Sequence, residues 1–502
     1  MQQSNKSQSI IKSSFWSYAG IIVLLFAGLI TNIALARLLD KENWGVLSTL
    51  IAVVSFLLSV SELGINYYVF YVVSKYADKG KEAVKRHLSG PLRYKLILIF
   101  SIAALMFVFS EQLADLFHIQ TGAKYFMAGT LYFVFLNIFG VFNGVLAGLK
   151  KFKEDSITSS LHYILRLVFA ALLVILGFGL DGAIVGYILA IFLATILQII
   201  FLRGFLSISH KNSDGLYEMF SYGFYFGIVS IAATFSLWAD SVMVGIFIGS
   251  TAVGIYKIAV SLSTASAGLL NGISKVMFPY FTSEESKGKD SIKYLNAALK
   301  YSLFFTIPAL FGIVLSAESI VNVFFGQQYS DASIPLLILS YLVFDGVIIG
   351  LISSYLAAKK STKILGTSSL ISAIFNIVLN FISIPILGIV GAAITSVASR
   401  IINLMLLLHW SKTKLGRTYE FPFILPLLGS LAMATVLFLL NPIIAPTSSV
   451  INLFIFIAVG ILVYLVSEQL LGFDVIGFGK KITKTLVPEK FLRHLPMHEL
   501  LE

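Results

Sequence analysis

Five ionisable side chains, Glu62, Arg166, Asp240, Asp345 and Arg400, stand inside stretches that are otherwise almost wholly apolar. At mid-helix in a bilayer an Arg or Asp costs about 2.5–3.5 kcal/mol on insertion scales, so such groups usually face a bundle interior or a wet cavity and read first as functional. A guanidinium stays protonated and grips two phosphate oxygens at once, which makes Arg166 the first candidate ligand for an anionic headgroup. The competing reading has Arg166 and Arg400 paired with buried carboxylates that lock helices together. Asp240 could carry a coupling proton or sodium ion, or hold its lobe together. Glu62 reads as a gate residue or a helix-end contact, and Asp345 as a titrating group or half of a buried ion pair.

Polar neighbours extend this set. His162 lies one turn before Arg166 on the same helix face and reads as a hydrogen-bonded core histidine. Asn376 and Asn380 also share a face, where they can bridge helices or meet sugar hydroxyls. Lys275 near a helix end can snorkel to headgroups or attract an incoming substrate. Pro308 would bend its helix. No metal-ligand cluster, nucleophile–base spacing or GxxxxGK[ST] loop emerges, so no cofactor, metal, ATPase or catalytic function is expected.

The elements that must hold these residues are membrane helices. The 502 residues are 58% hydrophobic and 12% charged, against about 25% charged in soluble domains, and the mean hydropathy is +0.91. Apolar blocks of roughly 20 residues match the length that crosses about 30 Å of hydrocarbon. They predict fourteen spans, at 13–36, 46–70, 95–110, 123–147, 156–178, 182–202, 221–249, 254–278, 298–317, 333–357, 363–384, 388–410, 421–441 and 449–471. The first is too long for a signal-peptide core and is expected to be retained. Cysteine is absent, which excludes disulfides and thiolate chemistry.

With an inside amino terminus, the outer connections carry only Arg37, Lys41, Lys124 and Lys257, while Arg166 and Arg400 lie within spans. The other basic residues then fall inside, which sets both termini in the cytoplasm. The net charge of +11 therefore reports topology and attraction to membrane lipids, and nucleic acid is not an expected partner. Outer connections are short, the longest being about residues 318–332. That disfavours a membrane-embedded glycan polymerase or ligase.

An internal repeat organises the spans. Gly45 in LDKENWGVL and Gly254 in IGSTAVGIY are 209 residues apart, as are Gly182-Ala183-Ile184 and Gly391-Ala392-Ala393. Leu146-Ala147 before Lys150-Lys151 resembles Leu356-Ala357 before Lys359-Lys360 at nearly the same offset. Six helices per copy is an even number, so the copies run parallel and should bind substrate between them. The expected division is residues 1–210 and 211–415 for two lobes, 416–471 for two appended helices and 472–502 for a basic cytoplasmic tail.

The run from Asn32 through ARLLDKENWGVLS, followed by Glu62-Leu63-Gly64, resembles the opening of polysaccharide-biosynthesis flippases of the multidrug/oligosaccharidyl-lipid/polysaccharide exporter superfamily. The stretches from Trp238 to Ala259, Phe324 to Ala332 and Asn376 to Ser396 look like that family's repeated landmarks. The resemblance implies an all-α fold of about fourteen helices in two six-helix lobes, working by alternating access in a prokaryotic cell membrane. It implies a polyprenyl-linked oligosaccharide as substrate, glycan-assembly proteins as partners, and coupling to a proton or sodium gradient. Arg166, Arg400, Lys275, Asn376 and Asn380 are the candidates for substrate binding, and Glu62, Asp240 and Asp345 for ion coupling or gating. The superfamily also contains ion-coupled drug and cation antiporters, so that function stays open at this point.

Overall fold

The computed structural model describes residues 2–120, 122–206, 238–444, 450–475 and 477; the side chains of 2–19, 269, 271, 275 and 441–444 lie outside the description. In the first half, α1 (Gln2–Leu38), α2 (Lys41–Glu62), α3 (Ile65–Tyr76), α4 (Lys81–Val108), α5 (Ser110–Leu116), α6 (Ala123–Gly148), α7 (Phe152–Leu173) and α8 (Gly179–Phe201) follow one another. The second half holds α9 (Trp238–Phe247), α10 (Ser250–Ser286), α11 (Ile292–Phe324), α12 (Ser333–Leu339), α13 (Tyr341–Ala358) and α14 (Thr362–Leu415). The appended pair is α15 (Ile424–Ile444) and α16 (Val450–Leu470).

Among the described residues ten helices are long and apolar enough to span a membrane, so the chain is a multi-pass membrane protein. Two of these run through turns. Non-helical angles at Gly388 (φ 62, ψ −140) divide the 54-residue α14, and a Ser372 hydroxyl donating to the Ser399 carbonyl at 2.6 Å shows that its halves fold back on each other. Between α7 and α8 the chain turns at Gly177 and Gly179. Counting these hairpins twice and adding α9 and α15 recovers the fourteen expected spans, although residues 221–237 of the seventh lie outside the described residues.

The parallel repeat is written in the backbone. Gly179 (φ 51, ψ −135) and Gly388 (φ 62, ψ −140) are 209 residues apart and share one conformation that a side chain would strain. Lys150 and Lys360 take left-handed φ values of 59° and 58° at the ends of α6 and α13, and both helices close with the same three backbone bonds. The two copies meet at their equivalent glycines. A Cβ on Gly45 would lie 2.6 Å from the Ser250 carbonyl oxygen, and one on Gly254 would lie 2.9 Å from the Gly45 Cα. Trp44 Nε1 donates to the Gly254 carbonyl at 3.0 Å across the same contact.

Helix bounds differ from the predicted spans in instructive ways. The 37 residues of α10 extend about 55 Å at 1.5 Å per residue, well past a 30 Å hydrocarbon layer, because polar residues at its end favour helix without needing lipid. The predicted span 46–70 is two helices, parted by left-handed Leu63 and Gly64. The expected loop at 318–332 is largely helical, since Glu318 to Phe324 belong to α11 and Gln327–Ala332 form a 3₁₀ turn. Pro308 sits within an unbroken α11. The appended helices pack on α11 through Phe304, Met433, Leu437, Phe456 and Tyr464.

Candidate functional site

α7 contacts α1 and α8 closely, and this places Arg166 among aromatic rings of the first half. Its guanidinium carbon lies 4.5 Å from the Tyr163 ring centre and 5.1 Å from that of Tyr187, while Tyr132 on α6 sits beside it. Gly28 on α1 faces the group, and a Cβ there would make ordinary contact with Nη2 at 3.6 Å. Rings hold a cation by its attraction to their π faces without neutralising it. Arg166 makes no ion pair among the described residues, and its buried Nε lacks a hydrogen-bond partner.

A second cation approaches from the other half. Lys257 on α10 rests 4.4 Å from the centre of the Trp238 ring, close enough to Arg166 for their charges to interact, and it too has no carboxylate within ion-pair distance among the described residues. Two like charges left unpaired in a poorly hydrated interior are costly, and an anion between them removes the cost. Sequence reasoning had set Lys257 at the outer margin of its span. The signal was its position one turn after Gly254, which carries it into the helix that joins the two lobes.

Arg400 behaves differently. Its Nη1 pairs with Asp345 Oδ2 at 3.0 Å; the aspartate is fully buried and the arginine side chain is 33% exposed. Asp240 forms the centre of another cluster. It accepts hydrogen bonds from Asn380 Nδ2 at 2.6 Å, from the Tyr256 hydroxyl at 3.2 Å and from Ser396 Oγ. Asn380 also donates to Asn376 Oδ1 at 3.2 Å and accepts from Thr395, whose hydroxyl in turn meets the Gly391 carbonyl. Sequence periodicity put Asn376 and Asn380 on one face, but only the fold reveals that the face meets Asp240.

Glu62 ends α2 and accepts from Asn66 Nδ2 at 3.1 Å. Nearby, fully buried Lys95 donates to the Ser61 carbonyl at 2.6 Å, a charge at the carboxyl end of α2 where the helix dipole favours it. His162 packs between Phe139 and Tyr163, with Nε2 unpartnered among the described residues. Lys275 lies on α10, but its side chain is outside the description. Arg166 and Lys257 thus gather at one place, Asp240, Asn376 and Asn380 at a second, and Asp345 and Arg400 beside the second.

The profile of a family described as polysaccharide biosynthesis protein matches residues 10–285, more than half of the chain. The chain belongs to this family. Within it, the chain is 29% identical over 259 residues to the probable low-salt glycan biosynthesis flippase Agl15 of Haloferax volcanii, covering 51% of this chain and 54% of that relative. The match therefore spans about half the relative's length. Against the putative O-antigen transporter of Shigella flexneri the identity is 22%, over 82% of this chain and all of that one. The family member's fold is that of the lipid II flippase MurJ in an inward closed conformation, with a TM-score of 0.77 at 20% identity, covering 93% of this chain and 100% of that one.

Proposed function

We propose that the protein flips a polyprenyl-linked oligosaccharide from the cytoplasmic to the outer leaflet by alternating access, for assembly of a surface polysaccharide or glycoconjugate. The observation that carries this reading is the pair of cations, Arg166 and Lys257, one from each half and neither neutralised by a carboxylate among the described residues. A lipid-linked phosphate is an anion that must pass through hydrocarbon, and each phosphate and sugar hydroxyl would otherwise lose its hydration at a cost of several kcal/mol. A relative named as a probable glycan biosynthesis flippase and another named as a putative O-antigen transporter support the same substrate class.

Both termini lie in the cytoplasm of a prokaryotic cell in this reading, and the Gly45–Gly254 contact closes the outer side. Residues 1–210 and 211–415 are the rocking lobes, 416–471 the appended pair and 472–502 the tail. Arg166 and Lys257 receive the headgroup, while the lipid tail stays in the bilayer. Asp240, caged by Asn376, Asn380, Thr395, Ser396 and Tyr256, is the group through which a proton or sodium gradient drives the cycle. One carboxylate among neutral oxygens suits a single positive charge. Lys275 attracts substrate at the entrance, Glu62 serves the inner gate, and the Asp345–Arg400 pair stiffens the second lobe. The residues bind and do not transform; membrane lipids and glycan-assembly proteins are the partners.

Deletion of the gene should make lipid-linked precursor accumulate on the cytoplasmic face and remove the corresponding surface glycan, with drug susceptibility little changed. Intact surface glycan together with raised sensitivity to cationic compounds would replace this reading with an ion-coupled drug antiporter.

A further inference from the structure

The second half holds a partly open cavity of about 280 Å³ that the headgroup site does not use, with an apolar side and a polar side formed by Ser369, Ser372, Ser396, Ser399, Asn403 and Arg400. Its charge balance differs from that of the Arg166 site. Arg400 is already paired with Asp345, and Asp240 lies in the wall, so no uncompensated positive charge is offered to an anion. What the walls offer instead is hydrogen bonding of both kinds. Ser372 donates to the Ser399 carbonyl, Ser399 to the Ser396 carbonyl and Ser396 to Asp240, which leaves lone pairs on Ser372 and Ser399 to accept, while Ser396 also meets the Tyr256 hydroxyl. Asn403 Oδ1 is buried without a partner among the described residues. The guanidinium nitrogens of Arg400 beyond the one held by Asp345 remain as donors.

A ligand for such a wall needs closely spaced groups that each donate and accept, and no net negative charge. We infer that this cavity is a subsite for a neutral sugar residue of the glycan, separate from the phosphate site between the lobes. The inference rests on the flippase reading and adds a location and a specificity to it. Buried polar groups left unpaired penalise any occupant that cannot satisfy them, so the subsite discriminates by the pattern of hydroxyls. Tyr256 and Ser396 both wall the cavity and bond Asp240, so sugar occupancy and the charge on Asp240 influence each other reciprocally.

Because the natural chain has no cysteine, Ser369→Cys supplies a single thiol in the wall and Thr264→Cys one at the rim with Ser369 intact. Modification of each by a small methanethiosulfonate reagent is timed in the purified full-length protein, with lipid-free hexoses, N-acetylhexosamines and deoxyhexoses as probes, and with inorganic pyrophosphate for comparison. One sugar class should slow modification at both positions, by about tenfold at ten times its dissociation constant, and pyrophosphate should not. Protection should persist with Arg166→Ala and vanish with Asn403→Ala. Loss of lipid-linked substrate binding in Arg166→Ala tests the headgroup reading separately. Protection by pyrophosphate instead of sugar, no protection by any sugar in the panel, or thiols that do not react would each overturn the subsite.

Discussion

Gly179 and Gly388 hold the same turn in successive repeats, with angles of 51° and −135° against 62° and −140°. The interior charges show no such correspondence: 209 residues from Arg166, Asp240, Lys257, Asp345 and Arg400 stand Phe375, Thr31, Ser48, Leu136 and Ile191. A turn that only glycine tolerates constrains both copies alike, because the backbone geometry it serves is the same in each. A ligand that is charged at one end and hydroxylated elsewhere has no two-fold symmetry, so the side chains facing it are free to diverge. The first lobe keeps a guanidinium held by rings, and the second keeps carboxylates held by amides, hydroxyls and one arginine.

The two arginines should break in opposite ways. Arg166→Ala should leave a folded, inserted protein that no longer transports, and Arg166→Lys should retain part of the activity, having kept the charge but lost the fork. Arg400→Ala should instead reduce accumulation of the protein, since stranding a buried carboxylate costs about 3–5 kcal/mol. The double change Asp345→Asn with Arg400→Gln should restore much of it. Quantified membrane yield and size-exclusion profiles separate these outcomes, and normal transport by accumulated Arg166→Ala would remove Arg166 from the site.

The shared turn should respond symmetrically. Gly179→Ala and Gly388→Ala each place a Cβ on backbone angles that cost about 1–3 kcal/mol, so thermal unfolding in detergent should shift by similar amounts for both. A marked inequality would show that the turns are not mechanically equivalent. The smallest effect is expected at Lys41 and Asp331, which form a 3.0 Å pair joining the halves while 35% and 63% exposed. Lys41→Ala should change stability by less than about 1 kcal/mol and lose even that in high salt.

Much of the architecture is legible in the sequence, because a bilayer demands apolar blocks of fixed length and duplication leaves glycines in register. Gly45 and Gly254 were visible as a pair; that they touch was not, since contact depends on how two lobes meet. The break at Leu63–Gly64 escaped because an apolar run carries no mark of a left-handed residue at a leucine. Arg166 stood out by its charge, but the absence of a carboxylate partner among the described residues depends on which helices surround it. Lys257 escaped because a lysine near a helix start looks like a topological marker until Trp238 and Arg166 are placed beside it. The Asp240 cluster draws on α9, α10 and both halves of α14, a convergence that spacing within one helix cannot express.

The claim that two cations from opposite lobes carry an anionic lipid headgroup is tested most directly in proteoliposomes. Purified wild-type protein should accelerate transfer of a polyprenyl-linked oligosaccharide between leaflets, read by enzymatic modification of the glycan exposed outside. Arg166→Ala and Lys257→Ala should each reduce the rate to that of protein-free vesicles at equal reconstitution, while Lys41→Ala should match wild type. Undiminished transfer by a folded Arg166→Ala, Lys257→Ala double variant would contradict the account.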